Sequence, residues 1–236
     1  MFNKIDYNTL KQILGTSEMP PSLPGKKSLA KFVMEDDDGP ILKYIYRNFN
    51  PERHLEFGTW QGTGTFFCLS ECNATVWTIN LPFGETNRYS FTGEEIFSLN
   101  EWAEFSGIDK NNHHTDSIGY TGRFYLEKGL GGRVCQIYSD SRDWDTTNYP
   151  NGFFDTCLID GGHTEEIVIN DTIKALPLVR SGGMIMWHDY CPEAESECES
   201  VSGVISAVEK MREKLETEME SIYWIYPSWI LLGKKK

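Results

Sequence analysis

The sequence of 236 residues predicts an α/β fold in which a doubly wound, mostly parallel sheet lies between two layers of helices. Short β-branched or apolar runs alternate with longer segments whose apolar residues recur at helical spacing. This alternation is typical of parallel strands joined by crossover helices. The stretch 222–233 contains a Pro-Ser turn between two apolar runs and predicts a C-terminal antiparallel hairpin. We therefore expect one Rossmann-like, three-layer αβα domain spanning residues 1–236.

Composition and charge narrow the classes of partner. The formal net charge is -13 at pH 7, which argues against a nucleic-acid backbone as partner. No apolar run is long enough to cross a bilayer, and residues 1–6 do not begin a signal peptide. The six cysteines form no CxxC pair, so we expect reduced thiols in a cytoplasmic protein. Cys135 and Cys157 are expected to be small hydrophobes in core strands, and the terminal lysines 234–236 a frayed, solvated tail.

Residues 1–50 are expected to form a helical N-terminal extension. The stretches 6–14 and 41–46 have helical apolar spacing, 28–34 adds a further helical turn, and the prolines between 19 and 25 exclude regular structure. The run Asp36-Asp37-Asp38 precedes Pro40 and predicts a solvated helix-capping turn rather than a metal site. The apolar stripes of this extension would also suit packing against a second subunit of a homo-oligomer.

The first strand and the turn after it carry the most informative local motif. An apolar run ends near Glu56, and Gly58, Gly62 and Gly64 follow before a mostly apolar helix. Glycines at such a turn allow close approach of a ligand to the backbone, and the N–H groups of the helix N-terminus point to the same place. The carboxylate of Glu56 is suited to accept hydrogen bonds from ribose hydroxyls or an amino group. The glycine spacing departs from the dinucleotide fingerprint GxGxxG, which argues against a dehydrogenase.

Four further core strands are predicted, and each ends in polar residues. They are the stretches 74–82, 133–139, 154–160 and 184–187, with helices expected at 165–179 and 202–219 and a break at 181–183. Parallel strands bring their carboxyl ends to one edge of a sheet, and ligands bind there at the point where strand order reverses. One site is therefore expected to contain Glu56, Asn80, Asp140, Asp160, His163, His188 and Asp189.

The segment 81–132 is too long for an ordinary connection and is rich in aromatic and polar residues. We expect helices at 94–105 and 120–130, and we interpret the insertion as a helical cap over the active site. A packed helical layer without substrate contact is the alternative. The pair His113-His114 is expected to face solvent rather than to bind a metal.

Two stretches resemble a known family. The segments FDTCLIDGGH, 154–163, and LVRSGGMIMWHD, 178–189, are similar to class I S-adenosylmethionine-dependent methyltransferases of the methyltransferase 24 group. That group includes macrolide-sugar and other small-molecule O-methyltransferases. The ExGxxxG of residues 56–62 resembles motif I of class I methyltransferases, and the similarity extends over residues 55–190 with its landmarks in order. The resemblance implies O-methylation of a small-molecule hydroxyl, in a sugar or another metabolite.

The resemblance also implies roles for single residues. The pocket for S-adenosylmethionine would be framed by Glu56, Gly58, Thr59, Gln61, Gly62 and Asp160, with Asn80 at the ribose and Asp140-Ser141 near adenine. An amide at position 80 lacks the charge-assisted strength of the carboxylate usual there.

In metal-dependent relatives, the aspartate of a DxxH motif and an acidic pair after the fifth strand hold magnesium, and the histidine is the proposed base. Carried over, the metal ligands become Asp160, His188 and Asp189, and the general base becomes His163, with His188 as rival. Because His188 replaces a carboxylate, manganese or zinc would suit the site better than magnesium.

Two other functions remain open at this point. Asp160, His163 and His188 together would also suit a non-haem iron hydroxylase-like enzyme, and a non-catalytic ligand-binding protein could keep the same fold. The aromatic and acidic insertion favours a neutral or cationic polar acceptor over a phosphate-rich one.

Overall fold

The structure is a computed structural model that describes residues 2–21, 37–81, 121–195 and 199–236. Numbered in chain order, the strands are β1 (Asn3–Ile5), β2 (Arg53–Phe57), β3 (Thr75–Asn80), β4 (Val134–Tyr138), β5 (Phe154–Ile159), β6 (Val179–Trp187), β7 (Met219–Ile225) and β8 (Ile230–Lys235). The helices are α1 (Tyr7–Leu14), α2 (Gly39–Phe49), α3 (Thr63–Glu71), α4 (Arg123–Glu127), α5 (Glu165–Leu178), α6 (Glu199–Lys210) and α7 (Arg212–Glu218).

The strands form one sheet in the order β1-β7-β8-β6-β5-β2-β3-β4. Strand β8 is antiparallel to β6 and β7, and the other pairings of the described strands are parallel. The predicted doubly wound, mostly parallel sheet with a C-terminal antiparallel hairpin is confirmed. Strand order reverses between β2, which leads outward to β3 and β4, and β5, which leads to β6. The crevice at the carboxyl ends of β2 and β5 is therefore the expected ligand site.

Helices cover both faces of this sheet because the buried strands alternate their side chains between two apolar clusters. Ile159 and Trp187 point into the cluster that contains residues of α5 and α6. Leu158 and Met186 point into the opposite cluster, with residues of α1, α2 and α3. All six residues of β5 are buried, the polar Asp155 and Thr156 included. The predicted three-layer αβα arrangement is confirmed.

Several predicted boundaries are wrong, for identifiable reasons. Strand β6 begins at Val179, before the predicted break at 181–183, because its pairing with β5 continues through an irregular register between Phe154 and Thr156. The long helix predicted at 202–219 is two helices, α6 and α7, separated at Met211, whose ψ of 3° leaves the helical region. Strand β1 was not predicted, because three residues before a helix carry no strand periodicity.

Two surface predictions are also wrong. The lysines 234–236 are not a frayed tail. Strand β8 includes Lys234 and Lys235, and each of these two lysines forms an ion pair with a glutamate of the same chain. Lys234 lies 2.8 Å from Glu220, and Lys235 lies 3.2 Å from Glu218. Cys135 is exposed rather than buried, because β4 is the edge strand of the sheet, whereas Cys157 in the central β5 is fully buried.

Some predictions fall partly or wholly outside the described residues. These are the turn at 28–34, the helix at 94–105, the pair His113-His114 and most of the insertion 81–132. Of the helix predicted at 120–130, the structure shows the shorter α4. Residues 1–50 contain α1 and α2, but also β1, which joins the sheet beside β7. None of the described helices is long and apolar enough to cross a membrane.

Candidate functional site

The loop after β2 is fixed to the ends of two neighbouring strands. The backbone N–H groups of Gly58 and Thr59 both donate to the carbonyl oxygen of Ile79, at 2.9 and 3.1 Å. Gly58 has a φ of +97°, and a Cβ at this position would overlap the carbonyl oxygen of Asp160. Only glycine combines that backbone conformation with such a close approach. The loop therefore presses directly on the end of β5, at the switch point.

Beyond Gly58 the loop curls over the end of β3. The N–H of Trp60, whose φ is 43°, donates to the side-chain oxygen of Asn80 at 3.0 Å. The amide nitrogen of Asn80 donates to the carbonyl of Leu81 at 3.0 Å. Gly62 has a φ of +85°, and a Cβ there would collide with the ring of Tyr125. Asn80 thus holds the loop in place. The sequence analysis predicted a contact of Asn80 with the ribose and did not predict this structural role.

Glu56 lies beneath this loop rather than on its surface. Its side chain is buried, with only 1% of the residue exposed, and one carboxyl oxygen accepts hydrogen bonds from the hydroxyls of Thr65 and Thr78. The absence of a side chain at Gly64 leaves room for the other oxygen. Burial raises the pKa of Glu56 to about 8, although the two hydroxyl donors oppose the shift. A contact of Glu56 with a nucleoside remains a prediction. In the structure, the hydrogen bonds that Glu56 accepts link α3 to β3.

The buried carboxyl of Glu56 predicts how stability depends on pH. Its folded pKa of about 8 exceeds the usual glutamate pKa of 4.5, so the folded state binds more protons than the unfolded state between these two pH values. The free energy of unfolding is therefore expected to fall as pH rises through that window, by up to about 1.4 kcal/mol per pH unit from this group. Glu56→Gln, which cannot ionise, is expected to lose that part of the slope.

Chemical denaturation of both proteins at pH 5, 6, 7 and 8 measures this difference. Glu127→Gln is a matched control, because the Glu127 carboxylate is exposed and pairs with Arg123 on the surface. Parallel stability curves for the wild type and Glu56→Gln would contradict the expectation.

The turn after β4 contains the residues predicted near adenine. The carboxylate of Asp140 accepts from the backbone N–H of Arg142 at 2.8 Å and from its guanidinium at 3.1 Å. Trp144, which ends the turn, packs edge-on against Phe57 of β2, with ring centroids 5.8 Å apart. These contacts place Asp140 and Ser141 at the same sheet edge as the glycine loop.

The DxxH segment forms the turn between β5 and α5. Its start is fixed by the Asp160 N–H, which donates to the carbonyl of Phe57 at 2.9 Å, and its end by Thr164, the N-cap of α5. The Nε2 of His163 lies 2.9 Å from a carboxylate oxygen of Asp189 and 3.9 Å from one of Asp160. Asp189 has a left-handed φ of 58°. The structure therefore brings Asp160, His163 and Asp189 together, as the positions of the strand ends predicted.

His188 is bound by an aspartate that the sequence did not assign to the site. Its Nε2 lies 3.0 Å from a carboxylate oxygen of Asp38, and its Nδ1 lies 3.2 Å from Asp160 and 3.4 Å from Asp189. Asp38 is fully buried and also accepts from the backbone N–H of Trp229, at 3.2 Å. His188 is thus enclosed by three carboxylates.

The prediction of a solvated capping turn is wrong for Asp37 and Asp38, which are 8% and 0% exposed. Asp38 occupies the N-cap position of α2, but its side chain makes no capping hydrogen bond and turns inward to His188 and Trp229. In the sequence, Asp38 stands directly before a helix, which is the position of an ordinary helix-capping residue. No local pattern indicates a partner 150 residues away.

The carboxylates set the charge of both histidines. Burial disfavours the imidazolium of His163, but the carboxylates of Asp189 and Asp160 outweigh it and raise its pKa to about 10. Burial opposes the charge of His188 as well, and the attraction of Asp160 and Asp189 raises the pKa of His188 well above the usual value. The carboxylates thus favour the imidazolium form of both rings. An imidazolium offers no lone pair, so each ring must lose a proton before it can bind a metal or accept a substrate proton.

A possible cation site lies among the same residues. Asp160, His163 and Asp189 each offer one ligand atom, and these atoms lie within 4.8 Å of one another. The predicted ligand set shares Asp160 and Asp189 with this group, but the histidine of the group is His163 rather than His188. Two carboxylates and one imidazole fit a divalent cation such as manganese better than magnesium, which prefers oxygen ligands throughout.

Comparison with known proteins gives a family match and several similar folds. The model of the methyltransferase 24 family, described as a methyltransferase domain, matches residues 55–190. No curated protein sequence matches significantly.

Three solved structures share the fold. The methyltransferase PaMTH1 of Podospora anserina, solved with S-adenosylhomocysteine, is 14% identical with a TM-score of 0.57, and the match covers 84% of this chain and 78% of that one. TomG of Streptomyces achromogenes, an O-methyltransferase of tomaymycin synthesis solved with S-adenosylmethionine, is 16% identical with a TM-score of 0.51, over 84% and 79%. An O-methyltransferase of Bacillus cereus, solved with S-adenosylhomocysteine, is 17% identical with a TM-score of 0.53, over 97% and 90%.

Proposed function

Because the chain belongs to the methyltransferase 24 family, as the match over residues 55–190 shows, we propose that it transfers a methyl group from S-adenosylmethionine to a hydroxyl of a small molecule. The recognition of a class I S-adenosylmethionine-dependent methyltransferase from the sequence is confirmed by that match. The observation that carries the proposed chemistry is the meeting of the Gly58–Gly62 loop with the DxxH turn at the switch point of the sheet.

The cofactor half of the proposed site is the loop together with the ends of β3 and β4. Gly58 and Gly62 let the loop pack closely against Asp160 and Tyr125, and Asn80 fixes the loop from β3. Thr59 and Gln61 lie between the two glycines. Asp140 and Ser141 are proposed to lie along the adenine. Three solved proteins with the same fold carry the methyl donor or its product, which supports the same cofactor here.

The acceptor half is the cluster of Asp160, His163 and Asp189. Methyl transfer is an in-line displacement, which needs donor and acceptor held in attack geometry and the hydroxyl proton removed. His163 is the proposed base, because its ring lies at the switch point and Asp189, 2.9 Å from Nε2, orients the ring through that nitrogen. With the proton of Nε2 directed at Asp189, Nδ1 is the nitrogen that accepts the hydroxyl proton. The same carboxylates stabilise the imidazolium that forms when the ring accepts the proton. Since they also raise the pKa of His163 to about 10, the unprotonated base becomes more abundant as pH rises.

His188, the rival base, is better suited to holding the cluster together. Both of its ring nitrogens face carboxylates, Asp38 on one side and Asp160 with Asp189 on the other. Its charge offsets part of the repulsion between those acidic groups. A divalent cation held by Asp160, His163 and Asp189 would polarise a bound hydroxyl and lower its pKa, in which case His163 would serve as a ligand rather than as the base.

The alternative of an iron hydroxylase needs two histidines and one carboxylate facing a common point. Of the described residues, the group whose ligand atoms converge contains one histidine, His163, and two carboxylates, Asp160 and Asp189. This composition favours methyl transfer over iron-dependent hydroxylation. A neutral or cationic polar molecule is the proposed acceptor, since the described cluster is rich in carboxylates.

Isothermal titration calorimetry tests the cofactor directly. S-adenosylhomocysteine is expected to bind the full chain with a dissociation constant in the micromolar range, equivalent to roughly -8 kcal/mol. NADH and oxoglutarate with ferrous iron serve as comparison ligands for the dehydrogenase and hydroxylase alternatives. We expect no heat from NADH, and none from oxoglutarate beyond that of ferrous iron alone. Absence of binding by S-adenosylhomocysteine at millimolar concentration would rule out the proposed function.

A further inference from the structure

A lysine of α5 lies beneath the turn that is proposed to bind adenine. The ammonium of Lys174 donates to the backbone carbonyls of Ser141, Arg142 and Trp144, at 2.6, 2.8 and 2.7 Å. A lysine ammonium has three N–H donors, so the turn uses all of them. Three carbonyl oxygens directed at one point repel each other unless a cation lies between them. The path of this turn therefore depends on Lys174.

The turn has further contacts with α5, but these go to side chains rather than to backbone carbonyls: Asn170 donates to the Ser141 hydroxyl at 3.5 Å, and the Arg142 guanidinium lies 3.3 Å from Glu166. Other hydrogen bonds lie within the turn. The N–H groups of Asp143 and Trp144 donate to the carbonyl of Asp140, at 3.1 and 2.9 Å. Burial lowers the pKa of Lys174, whereas the neighbouring carboxylates of Asp171 and Asp140 favour its charged form. Lys174 is thus the contact through which α5 holds the carbonyls of the turn.

The same helix begins at the acceptor half of the site. Helix α5 starts directly after the DxxH turn, at the N-cap Thr164. One turn before Lys174, the buried carboxyl of Asp171 interacts with the Ser141 hydroxyl and lies close to Gly161. One rigid element thereby contacts both the adenine-side turn and the segment that carries His163.

We propose that Lys174 is a positioning residue of the cofactor site, which sets the affinity for S-adenosylmethionine by holding the Asp140–Trp144 turn in its binding shape. This inference rests on the proposed function. Lys174 is expected to touch neither the cofactor nor the acceptor. Its loss is therefore expected to weaken cofactor binding without slowing the methyl transfer of the bound complex.

Three substitutions at position 174 and one control test the proposal. Lys174→Met keeps the length of the side chain and removes the donors, Lys174→Gln keeps part of the donor capacity, and Lys174→Arg keeps the charge. Lys214→Met is the matched control, because Lys214 is an exposed residue of α7, distant in sequence from the site. All variants are compared in the full chain, with the folded state checked by thermal unfolding.

The dissociation constant of S-adenosylhomocysteine and the KM for S-adenosylmethionine are expected to rise at least about tenfold in Lys174→Met, equivalent to about 1.4 kcal/mol. The kcat at saturating cofactor is expected to stay within about twofold of wild type. Lys174→Gln should be intermediate, Lys174→Arg closer to wild type than Lys174→Met, and Lys214→Met unchanged.

Unchanged affinity in a folded Lys174→Met would overturn the proposal, and so would a fall in kcat at unchanged affinity. If Lys174→Met does not fold, Lys174→Gln decides the question by the same comparison. Failure of the wild type itself to bind S-adenosylhomocysteine is a different outcome, because it would remove the proposed function on which this inference rests.

Discussion

Replacing His163 with alanine is expected to slow methyl transfer about 10²- to 10⁴-fold, the usual contribution of a positioned general base. The affinity for S-adenosylhomocysteine should stay within about twofold of wild type, since His163 is proposed to act on the acceptor. In the wild type, burial is outweighed by the carboxylates of Asp189 and Asp160, which raise the pKa of His163 to about 10. The wild-type kcat should therefore rise with pH between 7 and 9, and His163→Ala should lose this dependence.

His188→Ala separates the two histidines. It removes the partner of the buried Asp38 and is expected to lower the free energy of unfolding by about 3–5 kcal/mol, as for a broken buried ion pair. If His163→Ala keeps full activity while a folded His188→Ala has none, His188 is the base and the assignment to His163 is wrong.

Recording the pH profile of kcat with a chelator and with added manganese tests the cation site. A cation on Asp160 and Asp189 would weaken their attraction for the imidazolium and move the rise in kcat to lower pH.

Gly58→Ala is expected to destabilise the fold by roughly 2–5 kcal/mol and to weaken S-adenosylhomocysteine binding at least about tenfold. About 1–2 kcal/mol comes from placing a side chain at a φ of +97°. The rest comes from overlap of the new Cβ with the carbonyl oxygen of Asp160, which forces apart the ends of β2 and β5. Denaturant unfolding and calorimetry measure the two effects.

Gly15→Ala is the matched control for this substitution. Gly15 has a left-handed φ of +64° at the end of α1, but among the described residues no heavy atom outside its chain neighbours lies within 4 Å of the position that a Cβ would take. Gly15→Ala should therefore show the backbone cost of about 1–2 kcal/mol and leave cofactor binding unchanged. Equal losses of stability and affinity in both variants would show that the contact with Asp160 has no special role.

The sheet and its functional edge were predictable because their signals are local. Strand β5 ends on the apolar run Cys157-Leu158-Ile159, and the polar Asp160 that follows marks the strand end. Parallel strands then bring those ends to one edge, which is why Asp160, His163 and Asp189 were expected to lie together. Boundaries were less predictable, since the pairing of β6 with β5 decided where β6 begins.

The sequence by itself determined the doubly wound sheet, the glycine loop at Gly58 and the set of polar residues along the carboxyl edge. Only the tertiary structure decided which of these groups contact one another and in which protonation state. Asp38 reaches His188 because α2 and the C-terminal hairpin pack at the same place, which buries the aspartate completely. Burial raises the pKa of Glu56, whereas the carboxylates of Asp189 and Asp160 raise the pKa of His163 against the effect of burial. Burial and charge proximity depend on residues far apart in the chain, and no local pattern encodes them.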